Sequence, residues 1–149
     1  MGLTIADEGA MMVAMSHQSF DLEERTAHFA QSVQLFLRTV PRNAANAEYG
    51  KQLIRSSGSV AANYIEANES LGEKDFFMHV KIAKKEAKES RLWLRLLELR
   101  GDAMQEKTCC LLIQEAHELT LIFVSIAAKQ GTRPKNQEPR SKNQIPNKG

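Results

Sequence analysis

Between residues 74 and 100, Phe76, Val80, Ala83, Ala87, Ser90, Leu94 and Leu97 recur at alternating steps of four and three. A helix brings such positions onto one face, and the alternation is the heptad-like spacing of a bundle helix. A helix this long presents an apolar strip that other elements must cover. No segment shows the period-2 alternation of a half-buried strand, so the covering elements are expected to be helices too.

Three further segments supply them. Asp21 precedes Leu22, with Glu24 three positions on, a capping-box-like start in which Asp replaces Ser or Thr. Leu22, Phe29, Val33, Phe36 and Val40 then recur at helical spacing until Pro41 ends the run. Asn43 and Asn46 are candidate N-caps for a second helix over about 47–70. It carries one stripe of Leu53, Val60, Tyr64, Ala67 and Leu71 and a neighbouring one of Ile54, Gly58, Ala61 and Ile65, before Gly72 breaks the pattern. The third helix is expected over about 74–100, stopping at Gly101. The fourth spans about 104–129, with Cys109, Leu112, Ala116, Leu119, Phe123 and Ile126 on its seam.

Four helices with short connections predict an all-α, antiparallel up-down-up-down four-helix bundle over residues 21–130. At 149 residues the chain suits one such domain. Residues 1–20 are expected to be a loosely ordered N-terminal extension and 131–149 a disordered basic tail, since the latter is rich in Pro, Asn, Lys and Arg and nearly devoid of apolar residues. That tail holds Arg133, Lys135, Arg140, Lys142 and Lys148 against Glu138, a net +4, so the other 130 residues carry −2 of the overall +2. The basic balance belongs to the tail rather than to the bundle.

Cys109 and Cys110 are adjacent, and neighbours on a helix point about 100° apart, poor geometry for a mutual disulfide. Two reduced, partly buried thiols in a cytoplasmic protein are expected. The N-terminus MGLTIADEGAMMVAM lacks the cationic start and apolar run of a signal peptide, and no apolar run reaches about 18 residues, so no membrane span is expected.

Two local features need compensation. Ser56, Ser57, Gly58 and Ser59 are poor helix formers in mid-helix. Together with Ala61, Ala83, Ala87 and Ser90 they suggest close approach of the second and third helices. The third helix ends in RLWLRLLEL, apolar nearly all round. Such a surface is either fully buried or meets another subunit, and Leu92, Trp93, Leu96, Leu99 and Phe123 are the expected oligomer contacts.

These segments resemble the family of small four-helix-bundle proteins encoded by intervening sequences within bacterial 23S rRNA genes. The resemblance is carried by DLEERTAHFA at 21–30, GKQLIRSSGSVAANYIEA at 50–67, KDFFMHVKIAKKEAKESRLWLRLL at 74–97 and the HELTLIF-type helix that follows. It covers roughly residues 20–130. It implies an antiparallel bundle assembling as a ring, typically a homopentamer, with no defined biochemical role. A related pentameric bundle serves diversity-generating retroelements alongside a reverse transcriptase and nucleic acid.

One feature points towards a ligand. Lys81, Lys84, Lys85, Lys88, Arg91 and Arg95 share a broad side of the third helix, with Lys51 and Arg55 adding from the second. Such a row suits phosphates, and ring symmetry would multiply its field. The bland alternative is a solvated face whose cations pair with Glu86, Glu89 and Glu98 at helical spacings. Glu66/Glu69, Glu86/Glu89 and Glu115/Glu118 form three E-x-x-E pairs, but no Glu-x-x-His occurs, which argues against a di-iron bundle. A polar network of Asn63, Glu66 and Glu86, with Arg91 facing it, accounts for them more simply. No nucleophile elbow or phosphate loop is present. The sequence therefore suggests a non-enzymatic homo-oligomeric bundle with a candidate RNA or ribonucleoprotein contact, and neither metal, cofactor nor small-molecule substrate. A protein–protein scaffold without nucleic-acid affinity is the alternative, and a carboxylate-bridged metal enzyme a more distant one.

Overall fold

The computed structural model describes residues 21–132; the expected extension at 1–20 and the tail from 133 onward lie outside the described residues. Within them the chain forms α1 (Leu22–Leu37), α2 (Ala44–Glu69), α3 (Glu73–Leu96) and α4 (Ala103–Ala127), and no strand. Each helix packs on the next, and α4 returns to α1, closing the expected all-α four-helix bundle. The α2–α3 interface is the most extensive and the α1–α4 edge the least.

Local chemistry sets where three helices begin. Asp21 Oδ1 accepts from the Glu24 amide (3.0 Å), Asn43 Oδ1 from Asn46 (2.8 Å) and Asp102 Oδ1 from Met104 (2.9 Å). Each satisfies one of the amides that a helix start leaves unpaired. Asn43, not Asn46, is the cap of α2, so that helix begins three residues earlier than expected. α3 has no side-chain cap, but Glu73 and Asp75 lie in its first turn, where negative charge is favoured.

α3 ends at Leu96, four residues before the expected stop. The cause is long-range hydrogen bonding. Asn46 is buried; its Oδ1 accepts from the Glu98 amide (2.9 Å), and its Nδ2 donates to the Glu98 carbonyl (2.9 Å) and to the Pro41 carbonyl (2.9 Å). The Arg100 amide donates to Gln105 Oε1 (2.9 Å), while Gln105 Nε2 donates to the Thr39 carbonyl (2.7 Å). These two amide side chains hold 97–100 out of the helix, and Gly101 turns the chain at φ +78°.

The core follows the predicted seams. Phe29, Val33, Phe36, Leu53, Val60, Val80, Leu94, Leu119 and Phe123 are all almost completely buried, each worth about 1.5–3 kcal/mol relative to exposure. Ser56, Ala83, Ala87 and Ser90 are fully buried between α2 and α3. The Ser90 hydroxyl donates to the Glu86 carbonyl (2.8 Å) and lies 2.9 Å from Ser56 Oγ, so the small polar groups are satisfied where they are buried. Two expectations need correction. Leu71 is fully exposed at the α2–α3 turn. Gly58 faces outward, and a Cβ built on it meets nothing within 4 Å. It therefore does not serve the approach of α3.

The cysteines are unequal. Cys109 is buried, its Sγ 3.5 Å from the Leu94 carbonyl, whereas Cys110 is exposed. Burial, with a smaller contribution from Cys110, pushes the Cys109 thiol up to about 11. Thiolate at Cys109 is therefore scarce until the solution approaches that value.

Alkylation of the native protein at mildly alkaline pH is expected to label Cys110 and spare Cys109, with both labelled after denaturation. Rapid native labelling of Cys109 would contradict its burial. Gly58→Ala removes an exposed mid-helix glycine and is expected to raise stability in urea unfolding by about 0.5–1 kcal/mol. A loss of stability would reveal a backbone contact at Gly58 that the single chain does not contain.

Candidate nucleic-acid interface

The cation row of α3 rises about 21 Å from Lys81 to Arg95, at about 1.5 Å per residue. Lys81, Lys85, Lys88 and Arg95 are exposed, and Lys84 and Arg91 half-buried. The segment 81–95 sets six cations against Glu86 and Glu89, a local net of +4. Lys81 Nζ donates to Gln130 Oε1 (2.8 Å) at the end of α4. Arg91 Nε is buried without a hydrogen-bond partner among the described residues.

The expected pairing of this row with its own glutamates does not occur. Arg55 of α2 takes both carboxylates, its Nη2 2.6 Å from Glu89 Oε2 and its Nη1 3.3 Å from Glu86 Oε2. Glu98 accepts instead from Asn43 Nδ2 (3.0 Å). Among the described residues, Lys84, Lys85, Lys88 and Arg95 have no carboxylate partner. The two residues expected to extend the row from α2 are committed elsewhere: Arg55 to this bridge, and Lys51 to Glu48 (3.4 Å) one turn before it.

A second arginine repeats the arrangement. Arg25 of α1 donates from Nε to Glu115 Oε1 (2.7 Å) and from Nη2 to Glu115 Oε2 (3.0 Å) and Glu118 Oε2 (2.8 Å) on α4. Carboxylates at i and i+3 share a helix face, and a planar guanidinium fork reaches both. Hydrogen bonding to Glu115 at Arg25 and to Glu89 at Arg55 raises the pKa of each guanidinium, so both stay charged at any working pH. Two of the three E-x-x-E pairs are thus arginine clamps between neighbouring helices. Among the described residues no three His, Cys, Asp or Glu side chains converge as metal ligands.

The expected polar network of Asn63, Glu66 and Glu86 is not assembled. Asn63 donates to the Ser59 carbonyl (2.9 Å), and its Oδ1 lies 3.2 Å from His79 Nδ1. Glu66 is exposed, on the solvent side of α2. Glu86 is buried, but its partner is Arg55, not Arg91.

The expected oligomer contacts also divide. Phe123 is completely buried inside the subunit and tilts against Tyr64 at 5.8 Å, so it cannot meet another chain. Trp93 stacks on Tyr49 at 6.1 Å and, like Leu99, is half-buried against the core. Leu92 and Leu96 are exposed. Sequence reasoning missed the exposure of further apolar side chains: Ile54 and Ile65 on α2, and Leu111, Leu121 and Val124 on α4. Ile54 and Gly58 border a groove of about 600 Å³ against Ala27, Gln31 and Gln34 of α1. α4 is also long and apolar enough to cross a membrane by length and composition, which the sequence reading did not anticipate. Here its Glu115 and Glu118 face α1, and its seam lies in the bundle core.

A family model described as 23S rRNA-intervening sequence protein matches residues 18–125. Among solved structures, the chain is similar to the crystal structure, at 1.70 Å resolution, of a protein of unknown function from the S23 ribosomal protein family of Bacteroides thetaiotaomicron. The two share 25% identity and a TM-score of 0.59, over 72% of this chain and 98% of that one. No curated protein matches the chain. The matched span contains the first three helices, all but the last two residues of α4, and both arginine clamps, and the chain belongs to the 23S rRNA-intervening sequence protein family.

Proposed function

We propose that this protein is a non-enzymatic, self-associating helical bundle that binds structured RNA electrostatically through the exposed face of α3. The observation that carries the RNA reading is the commitment of Glu86 and Glu89 to Arg55, which leaves Lys84, Lys85, Lys88 and Arg95 without carboxylate partners. Uncompensated cations in a line attract a polyanion and release its counterions on contact. The family description, which ties these proteins to an intervening sequence of 23S rRNA, supports RNA as that polyanion. Self-association is supported by Ile54, Ile65, Leu111, Leu121 and Val124, a large apolar exposure for a single small chain. The homopentameric ring is the arrangement that the resemblance implies. A scaffold binding another protein is the second reading, favoured by exposed Leu92 and Leu96 beside the cations.

Light scattering is expected to give a particle several times the 16.7 kDa chain mass. A clean monomer at micromolar concentration would sink the assembly. Structured RNA is expected to bind with log K falling linearly in log salt, with a slope of about −3 or steeper for four phosphate contacts. Charge reversal at Lys81, Lys85, Lys88 and Arg95, all exposed, should abolish that binding while leaving the helical circular dichroism unchanged. RNA binding that survives the reversal places the site elsewhere, and absence of any RNA binding by the native protein favours the scaffold.

A further inference from the structure

We infer that the α3 face recognises the backbone of double-helical RNA and not unpaired bases. This rests on the RNA reading above and narrows it to one class of RNA.

Recognition of unpaired RNA bases relies on aromatic side chains or guanidinium planes on which the bases stack. No aromatic ring among the described residues is exposed. Tyr49 and Trp93 stack on each other, Tyr64 lies against Phe123, and Phe76 meets Phe77 edge-on, so the partly exposed rings already have partners within the subunit. In the row itself Arg95 is the one exposed guanidinium, because Arg91 is half-buried with its Nε sealed from solvent. The face offers a line of charge with a single guanidinium plane, that of Arg95, a composition suited to backbone recognition.

The shape of the face selects the form of the backbone. Lys81, Lys85, Lys88 and Arg95 are fixed along a rigid helix, on a line of about 21 Å. A duplex presents phosphates in a comparably rigid array, whereas a single strand must be ordered to match it. α3 lies between α2 and α4, with Val80, Ala83, Ala87, Ser90 and Leu94 buried inward. Flanked on both sides, α3 presents one face and not a free-standing helix of the kind that fills the B-form major groove. A flanked face of this kind suits the wide, shallow minor groove of A-form RNA, whose edges carry phosphates and whose floor displays ribose hydroxyls. Leu92, exposed between Lys88 and Arg95, then rests on ribose carbons.

The test compares four fluorescent ligands by anisotropy at one salt concentration, using the full chain. They are an RNA duplex of two helical turns, the same duplex with scrambled sequence, a uridine-only single strand of equal length, and the DNA duplex of the first sequence. Both RNA duplexes are expected to bind equally, and each about ten-fold or more tighter than the single strand and the DNA. Lys85→Glu with Lys88→Glu should remove that preference. Single-stranded RNA binding as tightly as duplex would overturn the inference while leaving the broader RNA reading intact. Equal affinity for the DNA duplex would overturn the A-form assignment, as would a duplex preference that survives the two substitutions. Failure to bind any of the RNAs would overturn the broader reading itself.

Discussion

The bridge from Arg55 to Glu86 and Glu89 determines much of what the rest of this molecule can do. Glu86 is 7% exposed, and a carboxylate so covered is costly unless a cation and hydrogen bonds meet it. Arg55 supplies both from the neighbouring helix. The same contact aligns α2 with α3 beside the fully buried Ser56, Ala83, Ala87 and Ser90. It also withdraws negative charge from the α3 cations, whose other side is turned away from α2. One structural pair thus stitches two helices and unmasks a charged face on one of them. Arg25 makes the equivalent stitch at the α1–α4 edge, where packing is least extensive and a directional contact does most to fix alignment.

A second constraint comes from the amides of Asn46 and Gln105. Both are buried, and both are spent on backbone groups around residues 98–100 and 39–41. Leaving such groups unpaired would cost about 1–3 kcal/mol each. Their satisfaction ends α3 at Leu96 and fixes the turn into α4. They gather the end of α1, the start of α2 and the α3–α4 connection at one end of the bundle. The termination also decides what the apolar run RLWLRLLEL can do. Leu94 and Leu97 enter the core, Trp93 lies on Tyr49, and Leu92 and Leu96 are left outside.

The helices and most core positions were legible in the sequence because periodicity is a local signal. Phe29, Val33, Val80, Ala87, Leu94 and Leu119 each repeat a pattern their neighbours share. What escaped was non-local. The bonds of Asn46 to Glu98 and of Gln105 to Thr39 join residues more than fifty positions apart, and no spacing rule announces them. Gly58 was misplaced for a different reason. Its stripe, with Ile54, Ala61 and Ile65, lies about 100° from the stripe holding Leu53 and Val60, and a helix rich in small residues does not declare which stripe faces inward. Phe123 fits a core seam and an interface equally well until its neighbours are known. The cation row was visible as residues but not as a site. Its availability depends on which helix supplies the partner for Glu86 and Glu89, and local spacing pointed to α3 itself when the answer was Arg55.

Assembly and polyanion binding make different demands on the surface, and the structure distributes them unevenly. Ile54 and Ile65 lie on α2, and Leu111 and Leu121 on α4, whereas the cations lie on α3. Contacts between copies through those faces would cover apolar area while leaving Lys81, Lys85, Lys88 and Arg95 open to a ligand. Contacts through Leu92 and Leu96 would instead carry Lys88 and Arg95 into the interface. There they would need carboxylates from the partner to offset desolvation. Two glutamates of their own helix, Glu86 and Glu89, are already held by Arg55. The arginine bridge that unmasks the cations would therefore also disfavour burying them between subunits, and any association of copies would be directed towards the apolar side chains of α2 and α4.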